Sequence, residues 1–401
     1  MQGGIDAVTL RSLLRFVWYR LPVPQRSRVA VELFRFLLRM YCAAAARDSA
    51  DTRCADGGKA TGPASAPCWV VGFFTAATGL GQGARLFYRE MKAKGVVVHA
   101  VDVTFMLPVT PEPSLFTEAT PPSAAFAAGK GAGSIVIHAN PSAYMVILWF
   151  ARRLMPGKRL VAYWAWEWEE IPHFWTRCLA FADEIYVPSA FTADAVRRKT
   201  DKPVTVHPHA ALPVLPGRAC DRPFTVLFCF DCTGNFYRKN PLAVVAAFKK
   251  AFGDSPEARL LLKVTDAHRC PEAFGLLTDA ADAPNMRFCL GHLTEQGMAD
   301  LYAEADVYLS LHRAEGYGLT IQEALLHGLP VIATGWSGNM DIMRDEHRQA
   351  QCMPVPYTLI PVDDPLGNYT VPGCLWAEPD TDAAADMLRL TASEVRGKAH
   401  P

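Results

Sequence analysis

Apolar and polar positions divide the 401-residue chain into an amphipathic beginning and a long alternating remainder. Residues 8–20 and 26–46 read as two helices separated by Leu21-Pro-Val-Pro24. In the second, Arg28, Glu32, Arg35 and Arg39 share one stripe, while Leu33, Phe36, Leu37, Met40 and Tyr41 share another. Residues 47–67 are small, polar and rich in Gly and Pro, the composition of a linker. From Trp69 short apolar runs alternate with helical periods. Strands are expected at 69–74, 96–103, 134–138, 159–166, 184–188 and 204–208. Pro208–Pro223, with four prolines, reads as a connector. The alternation then restarts, with strands at 224–230, 258–264, 286–290, 306–311 and 330–334.

This pattern predicts an α/β protein of two facing, doubly wound Rossmann-like domains behind a helical N-terminal extension. The boundaries expected are 1–67, 68–215 and 216–401. Sheets of this kind bind ligands outside the carboxyl ends of their strands, so informative residues should stand just after strands.

Composition changes the picture in three places. Forty basic and forty acidic residues cancel, which argues against a general nucleic-acid binder. Residues 1–47 are the exception, with eight arginines against Asp6 and Glu32, a local +6. Eleven cysteines are scattered without a framework, and Cys229-Phe-Asp-Cys232 has no second pair at zinc spacing, so free thiols in a reducing compartment are expected. Residues 131–151 lack Lys, Arg, Asp and Glu, but His138-Ala-Asn-Pro141 interrupts them, which favours strand, loop and helix over a membrane span. Arginines interrupt the first apolar stretch, so no secretory signal is visible and a cytoplasmic location is expected.

The densest chemistry lies in Arg313-Ala-Glu-Gly-Tyr-Gly318, after the strand 306–311 and before a helix expected near 319–327. Gly316, Tyr317 and Gly318 let backbone approach a ligand, and the helix start at Leu319 and Thr320 offers free N–H groups, an arrangement suited to phosphate. Glu315 would face whatever hangs from that phosphate. Glu323 could accept two hydrogen bonds from a ribose diol. A phosphate flanked by hydroxyl-rich groups describes a nucleotide sugar; the plain alternative is an acidic strand–helix corner.

Arg238 and Lys239 open the helix that Pro241 begins, at the carboxyl edge of the second sheet, where a diphosphate would need neutralising. Lys263, ending the strand 258–264, is a third cation or else a snorkelling lysine. In the first domain a glycine turn, Thr78-Gly79-Leu-Gly81-Gln-Gly83, follows a strand, though a lone Gly-rich turn is weak by itself. His138 ends another strand and reads as structural or as a site residue. Trp164, Trp166 and Glu167 belong to Tyr163-Trp-Ala-Trp-Glu-Trp-Glu-Glu170, whose rings stack on sugar faces or fill the core.

Taken together these motifs resemble the family-four retaining glycosyltransferases over about residues 69–390. The Glu315-x7-Glu323 spacing matches, as do Gly79-Leu-Gly-Gln-Gly-Ala-Arg85, His138-Ala-Asn-Pro141, Trp164-Ala-Trp-Glu167, Arg238-Lys-Asn-Pro241 and Trp376-Ala-Glu-Pro379, in the same order. The resemblance implies the GT-B fold of two Rossmann-like domains. It implies that Glu323 holds the donor ribose and Glu315 contacts the transferred sugar. Lys239 and Arg238 would neutralise the leaving diphosphate, Gly81 would pack near it, and His138 would face sugar or acceptor. Two departures stand out: Thr233 occupies the place of an arginine frequent in the family, and the chain ends soon after a helix near 380–391.

The function expected is transfer of a sugar, mannose or another hexose, from a GDP- or UDP-sugar to a saccharide or lipid-linked acceptor, in surface polysaccharide or glycolipid synthesis. No Asp-x-Asp motif is evident, so no obligatory metal or cofactor is expected. The alternatives are a phosphorylase or nucleotide-sugar epimerase of the same fold, or a non-catalytic nucleotide-sugar binder. Residues 8–46 either pack on the first domain or lie on the cytoplasmic face of an anionic membrane.

Overall fold

The structure, a computed structural model, describes residues 66–106, 111–120, 132–151, 154, 156–211, 222–365 and 371–399. The helices expected at 8–20 and 26–46 and the linker 47–65 lie outside the described residues. Elements run β1 (Cys68–Gly72), α1 (Gly79–Ala93), β2 (Val98–Asp102), β3 (Gly133–His138), α2 (Pro141–Ala151), β4 (Lys158–Tyr163), β5 (Glu184–Val187), α3 (Ala190–Arg197) and β6 (Val204–Val206). They continue with β7 (Phe224–Asp231), α4 (Phe236–Lys239), α5 (Pro241–Phe252), β8 (Ala258–Thr265), α6 (Pro271–Ala280), β9 (Met286–Leu290), α7 (Glu295–Ala303) and β10 (Val307–Ser310). The last are α8 (Leu319–Leu326), β11 (Val331–Thr334), α9 (Met340–Met343), β12 (Cys352–Val355), β13 (Tyr357–Pro361), β14 (Leu375–Pro379) and α10 (Thr381–Ala399).

Two six-stranded sheets result, ordered β2-β1-β3-β4-β5-β6 and β12-β11-β10-β7-β8-β9. In the second sheet every neighbouring pair is parallel. Its central strand, Phe-Thr-Val-Leu-Phe-Cys-Phe-Asp, is buried through its first seven residues. That continuous apolar run is what a parallel strand covered on both faces requires. β13 and β14 form a separate antiparallel hairpin that the sequence reading did not anticipate. Their alternation is weak: Tyr357 and Leu359 are both exposed, so no buried face marks the first strand from sequence.

Among the described residues the chain divides into two compact units. One comprises 66–164 and 172–185, the other 165–171, 186–365 and 371–399. Helix α10 packs on α5 with Ala384, Leu388 and Ala392 buried in the second unit's core, and it extends well past the short helix expected near 380–391. None of the helices among the described residues is long and apolar enough to cross a membrane.

Candidate functional site

Within the second unit, β7 and β10 are neighbours in the sheet, and the chain leaves both at the same edge. After β7 comes a tight connection. Asp231 accepts from the Thr233 backbone N–H and hydroxyl, each at 2.8 Å, which turns the chain at once. Asn235 stands at φ 71°, a left-handed conformation that Asn tolerates better than most residues, and its side chain caps α4 by accepting from the Arg238 N–H at 3.0 Å. Asn240, at φ 53°, breaks the helix after one turn. Pro241 then begins α5, its missing N–H harmless at that position. Arg238 and Lys239 therefore do not open the long helix, as the sequence suggested. They close a separate one-turn helix, because the residue before a proline is pushed out of the α region.

After β10 the chain passes through His312, Arg313, Ala314 and Glu315 into the turn Gly316-Tyr317-Gly318. Gly318 sits at φ 96° and stands just before α8. The Arg313 N–H donates to the Arg238 carbonyl at 2.7 Å, and Arg238 Nη1 donates to the Ala314 carbonyl at 2.8 Å. Two loops from adjacent strands are thereby sewn together. The result is a buried cluster: Lys239 Nζ pairs with Glu315 Oε1, Arg238 Nη1 lies 3.4 Å from Glu315 Oε2, and Arg238 Nη2 lies 3.5 Å from Glu167 Oε1.

Burial by itself would raise the Glu315 carboxyl. The Lys239 ammonium and Arg238 guanidinium outweigh it and hold the group at about 2. Glu167, gripped more weakly, is dominated by burial and shifted upward. Both carboxylates thus share the Arg238 guanidinium in unequal environments.

A second set of groups, missed from sequence, supports Glu315 from behind. Its N–H donates to Ser337 Oγ at 2.8 Å, and its carbonyl accepts from the Gly338 N–H at 2.8 Å. The Ser337 hydroxyl donates to Asn339 Oδ1 at 3.2 Å, and Asn339 Nδ2 donates to the Thr334 carbonyl at 2.9 Å. His312 Nε2 lies 3.1 Å from the same Asn339 oxygen, so Nε2 carries the proton and Nδ1 accepts from Ser310 Oγ at 3.0 Å. Burial pushes the His312 ring down to about 4, which keeps it neutral in this network. The only sequence signal was the cluster Ser337-Gly-Asn339 after β11, at the same edge as the two loops already noted. Close backbone approach explains the glycine: a Cβ on Gly338 would lie 2.2 Å from the Gly316 carbonyl oxygen. That same oxygen accepts from Ser189 Oγ at 2.7 Å.

Other expected residues are dispersed. Glu323, on α8, accepts from the Tyr302 hydroxyl at 2.9 Å. The Thr320 hydroxyl accepts from Tyr308 at 2.7 Å, and Leu319 is partly buried against the core. Tyr317 is buried, with its ring edge-on to His209 and its hydroxyl accepting from Gln322 Nε2 at 2.9 Å. Lys263 lies within β8, does not snorkel, and donates to the Gly291 carbonyl; burial lowers its pKa. Trp166 is buried and donates to the Glu170 carbonyl at 2.8 Å.

In the first unit, the glycine stretch is not a turn. Thr78 caps α1 by accepting from the Gly81 N–H at 3.2 Å, so Gly79 and Gly81 stand inside the helix's first turn. Arg85 reaches back to donate to the Phe74 and Ala76 carbonyls at 2.7 and 3.0 Å. Trp164 is fully buried and makes T-shaped contacts with Tyr144 and Trp175, which fits the core reading of this tryptophan rather than the sugar-stacking one. His138 is buried at the end of β3 and stacks on Tyr163 with ring centroids 4.0 Å apart. Among the described residues no group of three or more His, Cys, Asp or Glu side chains is placed to hold a metal ion.

Residues 230–365 match the family described as Glycosyl transferases group 1. This stretch is similar to group 1 glycosyl transferases, and the two sheets of the chain have the GT-B architecture. The matched stretch contains the whole of the Lys239–Arg238–Glu315 cluster and the Ser337–Asn339 support. The fold agrees with that of sucrose-phosphate synthase from Thermosynechococcus elongatus, at 16% identity over 83% of this chain and 94% of that one, with TM-score 0.56. It also agrees with Anabaena HepE, solved with UDP and glucose, at 12% identity over 83% and 92% of the two chains, with TM-score 0.51. The chain spans half the length of the pneumococcal O-GlcNAc transferase GtfA (14% identity, 67% of this chain and 50% of that one, TM-score 0.44). No curated protein matches it.

Proposed function

We propose that the protein is a retaining glycosyltransferase that moves a hexose from a nucleotide sugar to a saccharide or lipid-linked acceptor. The observation that carries this reading is the buried pairing of Glu315 with Lys239 and Arg238, at the edge where β7 and β10 end. A departing diphosphate needs cations and free N–H groups. Lys239, less buried than Arg238, supplies the charge, and the start of α8 beyond Gly318 supplies N–H groups. Arg238 spends its guanidinium on the Ala314 and Gly234 carbonyls and acts as a strut that sets Glu315. Glu315 stabilises positive charge developing on the sugar, and Glu323 holds the ribose diol. Anabaena HepE was solved with UDP and glucose, which puts UDP-sugars first among donors. The acceptor belongs to surface polysaccharide or glycolipid synthesis, and residues 8–46 hold the protein at an anionic membrane where a lipid-linked acceptor lies.

The test is incubation with UDP-glucose, UDP-galactose, UDP-N-acetylglucosamine and GDP-mannose without acceptor, followed by NMR. Slow release of sugar, first as the α-anomer, supports retention. Interconversion of the nucleotide sugar instead means an epimerase, release that requires inorganic phosphate means a phosphorylase, and binding without turnover means a non-catalytic binder. Liposome co-sedimentation at low and high salt, with and without residues 1–60, tests the membrane contact: a full-length protein that never pellets removes it.

A further inference from the structure

The cluster around Arg238 is electrically closed as it stands. One guanidinium and one ammonium, on α4, face two carboxylates, Glu167 and Glu315. Nearby, Glu169 is exposed to solvent and Glu170 pairs with Lys199 at 2.7 Å. The charged groups facing Glu167 are therefore Arg238 and Lys239 from α4 and Glu315 from the turn after β10.

On the donor reading above, a diphosphate must enter this neutral, largely buried cluster with two negative charges. Coulomb repulsion in such a place is far stronger than in water, and a buried site relieves it by taking up a proton. His312 shares the field of these charges, but a proton on its Nδ1 would cost the hydrogen bond that Nδ1 accepts from Ser310, so the two carboxylates remain. Glu315 is held by two cations, one of them in direct hydrogen-bonded contact, and it takes a proton least readily. Glu167 has the guanidinium at 3.5 Å, shared with Glu315, a contact with its own backbone and the more distant Lys239 charge, a weaker hold than that on Glu315.

We propose that binding of a nucleotide sugar beside Lys239 is accompanied by uptake of a proton on Glu167. Glu167 then serves as the charge-balancing group of the donor site rather than as an acceptor contact. The proton comes from solvent, forms the O–H bond of the Glu167 carboxylic acid, and leaves again when the diphosphate does. Burial already shifts Glu167 upward in the free protein, the same direction in which an incoming diphosphate would push it.

The inference rests on the donor reading and is tested so that the two fail separately. UDP-glucose and, in parallel, GDP-mannose are titrated calorimetrically into the full-length protein. Their diphosphates are esterified at both ends and do not titrate near neutrality, so any proton taken up goes to the protein. The titration is repeated at one pH in phosphate, HEPES and Tris, whose ionisation enthalpies differ, and the slope of observed heat against buffer heat counts protons. The wild-type protein is expected to take up a measurable fraction of a proton, and over the pH range in which it does so its affinity falls as pH rises, by up to about tenfold per pH unit for one proton. Glu167→Gln imitates the protonated acid. It is expected to show a slope near zero and to bind at pH 8 at least as tightly as wild type. A zero slope in wild type at every pH overturns the proposal, and so does a slope that survives in Glu167→Gln. Weaker binding by Glu167→Gln at pH 8, with an unchanged melting temperature, overturns it too. If neither nucleotide sugar binds the wild-type protein, the donor reading falls, and this inference falls with it.

Discussion

Gly79–Gly83 and Gly316–Gly318 both follow a strand, and both read from sequence as loops that bring backbone to a ligand, but the first forms the opening turn of α1 and the second a turn before α8. In the first, a Cβ at Gly81 would meet the Ala76 and Phe73 carbonyl oxygens at 2.3 and 2.7 Å. That glycine lets α1 settle on its own preceding loop, which Arg85 ties down from the far side. In the second, Gly318 takes φ 96° and Gly316 lies against the Trp166 backbone, where a Cβ would stand 3.0 Å from its carbonyl oxygen. Around that turn the neighbouring backbone groups are held by side chains brought from distant parts of the chain: Ser337, Ser189 and Arg238. A glycine held by its own neighbours serves packing. One held by distant polar groups serves to place a side chain, here Glu315.

The comparison is broken most directly at Glu315 itself. Glu315→Gln keeps the shape and removes the charge, and acceptor-free donor hydrolysis should slow by about 10²–10³-fold while donor KM moves far less. A normal rate with a raised KM would reduce Glu315 to a donor contact. The same variant checks the acid stability. The folded-state pKa of Glu315 is depressed from 4.5 to about 2, so its contribution is complete above 4.5 and is lost as pH falls towards 2. His312, neutral in the fold down to about 4 but charged below 6.5 when unfolded, withdraws stability earlier, between 6.5 and 4. The urea midpoint of wild type should therefore exceed that of Glu315→Gln above 4.5, and the gap should close as pH falls below 4.5. Parallel curves throughout would mean that the ion pair contributes nothing.

Next in size is Gly81→Ala. The added methyl meets backbone carbonyls that cannot rotate away, and the fold should lose about 3 kcal/mol. Hydrolysis per folded molecule should not change; if it drops while the melting temperature holds, Gly81 belongs with the ligand after all.

Glu323→Ala should weaken UDP binding by about 1.5–3 kcal/mol, because the ribose hydroxyls lose an ionised acceptor. Part of any stability loss comes from the Tyr302 hydroxyl, which loses the carboxylate 2.9 Å away. Unaltered calorimetric affinity would remove Glu323 from the site.

The smallest and sharpest change is Ser337→Gly. Ser337 sits at φ 78°, which glycine accepts more easily, yet its hydroxyl accepts from the Glu315 N–H. Melting temperature should hold or rise, while turnover falls by about fivefold, the worth of roughly 1 kcal/mol of positioning. Wild-type kinetics in this variant would make the contact structural only.

The sequence by itself determined the architecture. Apolar runs of β7, β8 and β10 announce a parallel sheet because both faces must be covered, and that requirement is local and periodic. It also drew attention to Glu315, Arg238 and Lys239, in the connections that follow strands, where such sheets place their chemistry, and to Glu323 in the helix that follows. The hairpin β13–β14 escaped notice because its first strand buries no alternating face, and the one-turn α4 because two left-handed asparagines leave no period to read. What only the tertiary structure decided is what each polar group meets. Trp164 became core, Lys263 found the Gly291 carbonyl, and Glu167 came to share a guanidinium with Glu315. The support behind Glu315 joins His312 to Ser337 and Asn339 across the β10 and β11 loops. Hydrogen bonds and ion pairs are directional and short-ranged, so their partners follow from the packing of whole elements rather than from any spacing along the chain.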